Sequence, residues 1–254
     1  MRISVKKNPP LTILSFIPTQ KYNVLDKNSI IELIDKLDNI YKDDSKYLVI
    51  QSESNDFGAG IDYGELLRAT QDKEYAVTLV NLLKELYYKF ANSPKITIAV
   101  VRGLVVGAFL ELLLLMDYVI AHKESKFSIP AAKLGLIPPL TITLGTKILG
   151  YRNVFRLAFT CEELTAEEAL KIGLVSRLSD DLDKTLEELI NSLNYSSPLA
   201  LSVMRRIIVS EIIKGIDEAF EQLSLILHSK EASDGIVSSI TKSHPPWYSR
   251  FSKS

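Results

Sequence analysis

The sequence predicts an α/β fold that ends in helices alone. Up to Val175, short apolar β-branched runs alternate with stretches whose apolar residues recur at helical spacing. Such alternation favours a largely parallel, buried sheet with helices packed against it. Beyond Val175 every periodic segment reads as helix.

In chain order, Leu11–Ile17 reads as a strand ended by Pro18, and residues 47–51 read as a second. In the helix between them the apolar residues Ile30, Ile31, Leu33, Ile34, Leu37 and Ile40 recur at helical spacing, with Asp26 as its N-cap. Residues 52–60 are polar and glycine-bearing, hence a loop. Asp62 and Glu65 then form a capping-box pair that opens a helical stretch reaching Phe90, stopped by Asn92-Ser93-Pro94. A strand at Ile96–Val101, a turn at 103–107, a helix to Met116, a strand at 117–121 and a short strand at 126–129 follow. The later helices are 182–193, 198–213 and 217–229. The polar segment 194–198 marks the expected boundary between a core of residues 1–194 and a C-terminal helical region of residues 195–254.

Of 254 residues, 46% are hydrophobic, and 30 Lys+Arg against 31 Asp+Glu leave a net charge of −1. No basic field exists to hold a phosphate backbone, so nucleic acid is not an expected partner, and any bound anion must be held locally. The single cysteine, Cys161, forms no internal disulfide, which suits a reducing, cytoplasmic setting. His122, His228 and His244 stand apart, so no metal site is expected. The N-terminal residues lack the apolar core of a signal peptide. Residues 96–121 carry only Arg102, Glu111 and Asp117 as charges and are long enough to span a bilayer. The β-branched opening and the two glycines instead favour a buried strand, a turn and a buried helix, and no membrane is expected.

Two glycine-bearing turns draw the chemistry. In Asp56-Phe57-Gly58-Ala59-Gly60-Ile61-Asp62, backbone N–H groups are free to point outward at an oxygen anion; the alternative is an ordinary turn capped by Asp62. In Gly103-Leu104-Val105-Val106-Gly107-Ala108-Phe109-Leu110-Glu111, the amides after Gly107 belong to a helix's unpaired first turn. Glu111 lies one turn inside, among apolar neighbours. It reads either as a catalytic carboxylate or as a structural one paired with Arg102 or a backbone donor.

Taken in order, these motifs resemble the crotonase superfamily, the enoyl-CoA hydratase/isomerase family, from about Leu11 to Phe251. Lys21-Tyr22-Asn23-Val24-Leu25 is similar to its K-L-N-A-L element, residues 57–62 to its F-x-A-G-x-D loop, and residues 103–111 to its G-x-x-x-G-G-G-x-E element. Leu134-Gly135-Leu136-Ile137-Pro138, Thr165-Ala166-Glu167-Glu168-Ala169 and Ser197-Pro198-Leu199-Ala200 complete the series. The resemblance implies a spiral of ββα units that binds an acyl-CoA thioester, and a homotrimer or dimer of trimers built on the C-terminal helices. Coenzyme A enters as part of the substrate and no separate cofactor is implied. Carried over, the amides of Ala59 and Ala108 form the oxyanion hole and Glu111 is the acid/base. Lys21 and Tyr22 lie by the CoA adenine and phosphates. Gly60, Ile61, Asp62, Gly107, Pro130 and Ala131 line the substrate site.

The chain departs from that pattern where it matters for chemistry. The family's second glutamate falls on Ala131, and the position where some isomerases place an acid holds Pro139. Double-bond isomerisation or weak hydration is therefore expected, with an acyl-CoA-binding paralogue that has lost turnover as the alternative. Phe109 replaces a glycine of the motif and is expected to make the pocket more apolar and narrower.

Overall fold

A computed structural model describes residues 1–251. The first strands are β1 (Arg2–Asn8), β2 (Leu11–Ile17), β3 (Tyr47–Ser52) and β4 (Ile96–Val101). After them come β5 (Leu104–Val106), β6 (Tyr118–His122), β7 (Lys126–Ser128), β8 (Leu164–Thr165) and β9 (Arg177–Ser179). The larger sheet runs β1-β2-β3-β4-β6-β9, antiparallel between β1 and β2 and parallel elsewhere; β5, β7 and β8 form a smaller sheet.

The central strands β3 and β4 are largely apolar because both faces are covered. Leu48, Ile50, Ala99 and Val101 face one core with Leu33 and Leu37 of α1 (Lys27–Ile40). Tyr47, Val49, Ile98 and Val100 face a second, smaller core built with Leu182, Leu186 and Ile190. Asp26 caps α1 through the Ser29 amide at 2.8 Å, as its sequence position predicts.

The stretch after Asp62 is two helices, α2 (Tyr63–Gln71) and α3 (Lys73–Ala91), separated by Asp72, which caps α3 through the Tyr75 amide. The expected Asp62–Glu65 capping box does not form. Asp62 accepts from the Gly64 amide instead, and the Glu65 carboxylate takes the Tyr75 hydroxyl across the break. Helix α4 is shorter than expected, Ala108–Leu113.

Between β7 and β8 lie a 3₁₀ turn at Ala131–Leu134, a π turn at Thr141–Gly145, the single turns α5 (Thr146–Ile148) and α6 (Tyr151–Val154), and a second π turn at Phe155–Phe159. Then come α7 (Ala166–Lys171), α8 (Leu182–Leu193), α9 (Pro198–Ile212), α10 (Ile216–Ile226), α11 (Lys230–Thr241) and α12 (Pro246–Phe251). Strand β9 corrects the expectation of helices alone after Val175. No described helix is long and apolar enough to cross a membrane.

Two contacts fix the C-terminal helices on the sheet. Arg205 of α9, 6% exposed, donates to Asp117 at 2.7 Å and to the carbonyls of Phe90, Ala91 and Ser93. Helix α11 meets the 3₁₀ turn backbone to backbone. A Cβ on Gly235 would sit 2.5 Å from the Leu134 carbonyl carbon, and one on Gly135 would sit 2.5 Å from the Glu231 carbonyl oxygen. Gly235→Ala is expected to destabilise the protein by about 1–3 kcal/mol, because neither backbone can yield without unseating the helix; urea unfolding measures it.

Candidate active site

The loop at 57–62 is held on both sides. The amides of Phe57 and Gly58 donate to the Leu104 carbonyl, and Val106 N–H returns a bond to the Gly58 carbonyl. On the other side Leu25 N–H donates to the Gly60 carbonyl at 2.8 Å, and Asp62 N–H donates to the Leu25 carbonyl. Because a trans peptide points its C=O and N–H in opposite directions, the Gly60 carbonyl aimed at Leu25 turns the Ile61 N–H the other way. Gly60 has φ +91°, Gly107 has φ +58°, and the two turns touch there. A Cβ on Gly107 would lie 3.6 Å from the Gly60 Cα, and one on Gly60 would lie 3.8 Å from the Ala108 nitrogen. Those are ordinary contacts, so what requires glycine is the positive φ rather than lack of room.

Ala108 opens α4. The Gly107 carbonyl accepts the first helical bond from Glu111 N–H at 3.0 Å, which leaves the Ala108 N–H pointing out of the helix end. From below, the buried Tyr87 hydroxyl donates to the Ala108 carbonyl at 3.0 Å. Among the described residues neither Ile61 N–H nor Ala108 N–H has an acceptor. The geometry therefore corrects one expectation. Ala59 lines the cleft, but its N–H is donated to the Asn23 carbonyl at 2.8 Å; the amides of this loop left without an acceptor among the described residues are those of Gly60 and Ile61, and of these it is Ile61 N–H that the Gly60 carbonyl turns away from Leu25.

The cleft below these amides encloses about 820 Å³ measured out to its open mouth. Gly60, Ile61, Gly107, Ala108, Pro130 and Ala131 line it, as does Glu111. Glu111 is 4% exposed and has no contact with Arg102, which is exposed. Its Oε1 accepts from the Thr141 amide at 2.9 Å and the Thr141 hydroxyl at 3.3 Å. Burial in apolar surroundings pushes its pKa up to about 7, with the Thr141 and Leu140 bonds opposing the rise. The backbone pairing and the site position thus hold together. Among the described residues no second carboxylate lines the cleft: the family position is the methyl of Ala131, and Pro139 occupies the other.

Tyr63, the first residue of α2, is the other ionisable side chain on the lining, and its hydroxyl accepts from Ser239 of α11 at 2.9 Å. The sequence alone gave no reason to select it or Thr141, since each depends on a partner distant along the chain. Lys21 and Tyr22 lie off the cleft lining, with the Lys21 ammonium 4.9 Å from the Tyr22 ring centre. Asp62 is likewise absent from the lining and serves as the cap of α2. Phe109 also differs from expectation. It points away from the cleft into an edge-to-face cluster with Phe16 and Phe57, at 5.3 Å and 5.8 Å. Gly58 makes the room, for a Cβ there would lie 2.3 Å from the Phe109 ring.

Residues 13–250 match the family described as enoyl-CoA hydratase/isomerase. The chain belongs to that family. It is 31% identical over 170 residues to the carnitinyl-CoA dehydratase of Escherichia coli K12, covering 63% of this chain and 65% of that one, just under two thirds of the relative's length. It is 27% identical over 237 residues to the 2,3-dehydroadipyl-CoA hydratase of the same strain, covering 90% and 91%. An enoyl-CoA hydratase structure from Bacillus halodurans superposes with a TM-score of 0.86 over 93% of this chain and 99% of that one, at 19% identity. The α/β architecture with its C-terminal helices is therefore the crotonase fold.

Two outcomes follow from the packing. Gly58→Ala is expected to cost about 1–3 kcal/mol in the native background and far less in Phe109→Ala, a coupling that a double-mutant unfolding cycle reads directly. For Glu111, a folded pKa raised above that of the unfolded chain means its stabilising contribution is present below about pH 4.5 and is lost as pH rises through about 7. Glu111→Gln is therefore expected to be more stabilising at pH 8 than at pH 5, by on the order of 2 kcal/mol in urea titrations at the two pH values.

Proposed function

We propose that the chain is an acyl-CoA enzyme that holds the thioester oxygen between the amides of Ile61 and Ala108 and uses Glu111 as its one acid/base, with double-bond isomerisation as its main reaction. The observation that carries the reading is a single carboxylate beside two unpaired, convergent backbone donors in an apolar cleft. In the proposed step the Glu111 carboxylate removes a Cα proton from a 3-enoyl thioester, and the electron pair moves onto the thioester oxygen. The same carboxyl group then returns the proton to Cγ, leaving the 2-enoyl thioester. Each backbone donor to the enolate oxygen is worth about 3 kcal/mol of transition-state stabilisation. Hydration requires a second group to hold and activate water at Cβ, and the Ala131 methyl does neither.

CoA is part of the substrate and no separate cofactor takes part in this scheme. The working unit proposed is a homotrimer or a dimer of trimers in the cytoplasm. Exposed Leu199, Ile207 and Ile208 on α9, together with the stacked Phe155 and Phe159, offer apolar surface for such contacts. Ala131 also supports a second reading, an acyl-CoA-binding paralogue without turnover.

Purified protein assayed with 3-hexenoyl-CoA and crotonyl-CoA separates these readings. Isomerisation is expected to exceed hydration and to rise with pH on a limb centred near 7, as Glu111 ionises. Glu111→Gln is expected to lose at least about 10²-fold in kcat/KM, and Ala131→Glu to raise hydration by about 10²-fold. Isomerisation unchanged in Glu111→Gln overturns the assignment, and tight acyl-CoA binding without turnover selects the paralogue.

A further inference from the structure

We infer that the cleft selects acyl groups with an uncharged hydrocarbon tail and rejects those that end in a carboxylate. This rests on the reading above that the cleft takes a CoA thioester. Its walls come from separate parts of the chain, and all are apolar: Leu66 of α2, Leu79, Val80 and Leu83 of α3, and Leu223 with the adjoining Leu227 of α10. The opposite wall, from Ile129 to Pro139, adds only aliphatic side chains and proline rings. Among the described residues, no Lys, Arg or His lines the cleft.

An ω-carboxylate entering this space meets no cation among the described residues. The nearest cation along α3, Lys84, is partly exposed and paired with Asp217 at 3.2 Å outside the lining. Among the described lining residues Tyr63 supplies the one side-chain hydroxyl, which is no cation. Glu111 makes matters worse, because a second anion in the same low-dielectric cavity raises the energy of both. A buried charge without a partner is costly, whereas a methyl-terminated tail gains from leaving water. The inference separates this chain from relatives whose names carry a charged acyl group, the carnitinyl and 2,3-dehydroadipyl thioesters.

The test uses unreactive saturated thioesters, so that it does not depend on turnover. Hexanoyl-CoA and adipoyl-CoA have six-carbon chains and differ at the far end, and titration calorimetry of each is compared with free CoA. Hexanoyl-CoA is expected to bind on the order of 100-fold more tightly than adipoyl-CoA, with adipoyl-CoA no tighter than CoA itself. Equal affinity of the two thioesters, both above CoA, overturns the inference and leaves thioester binding standing. Failure of both to exceed CoA overturns the inference together with the reading beneath it.

Discussion

The contact between Gly60 and Gly107 is the constraint from which the rest of the site follows. Two turns with positive φ meet at van der Waals distance, so the amides that follow them are brought side by side. A buried N–H without an acceptor is unfavourable, and such groups persist only when the surrounding structure leaves the backbone no alternative. Here the neighbouring groups are committed elsewhere: Gly60 and Ala108 carbonyls to Leu25 and Tyr87, Ala59 N–H to Asn23. What is left over points at the cleft. Catalytic competence in this reading is the residue of a nearly complete hydrogen-bond ledger.

Glu111 is a second such residue. The same apolar walls that make the cleft hospitable to a hydrocarbon raise the proton affinity of its carboxyl group to the neutral range, where a single group can both take and return a proton. Thr141 limits the rise by donating twice to one oxygen. Stability and chemistry therefore pull against each other at this position: a better-solvated carboxylate would be a more comfortable neighbour for the core and a poorer base.

Sequence periodicity revealed the elements that bury wide apolar faces. The central strands β3 and β4 and helix α1 are of this kind, since both sheet faces are covered and Asp26 announces the helix. It missed β1, a charged edge strand whose inner face shows little alternation, and β9, whose three residues carry almost no pattern. It missed α11 because that helix packs mostly through small residues, Ala232, Gly235 and Ser238, with Ile236 as its one fully buried large side chain. At the site, motif spacing singled out two loops and a glutamate that line one cleft, but on one loop it named an amide, that of Ala59, which is already paired. Which N–H groups of the 57–62 loop are taken up is decided in part by Asn23 and Leu25, far back in the chain. The direction of Phe109 was equally hidden, being set by the absence of a side chain at Gly58.

The joining of α11 to the turn at Ala131–Leu134 bears on how the protein is made. Leu223 and Leu227 form part of the cleft wall, and Gly235 presses on the turn that presents Ala131. During synthesis the sheet, both glycine turns and Glu111 leave the ribosome well before these helices do. A nascent chain thus carries an open apolar trough with two bare amides at its floor, and the trough becomes a cleft only once the last helices dock. Quality control acting on exposed apolar surface has its longest opportunity in that interval.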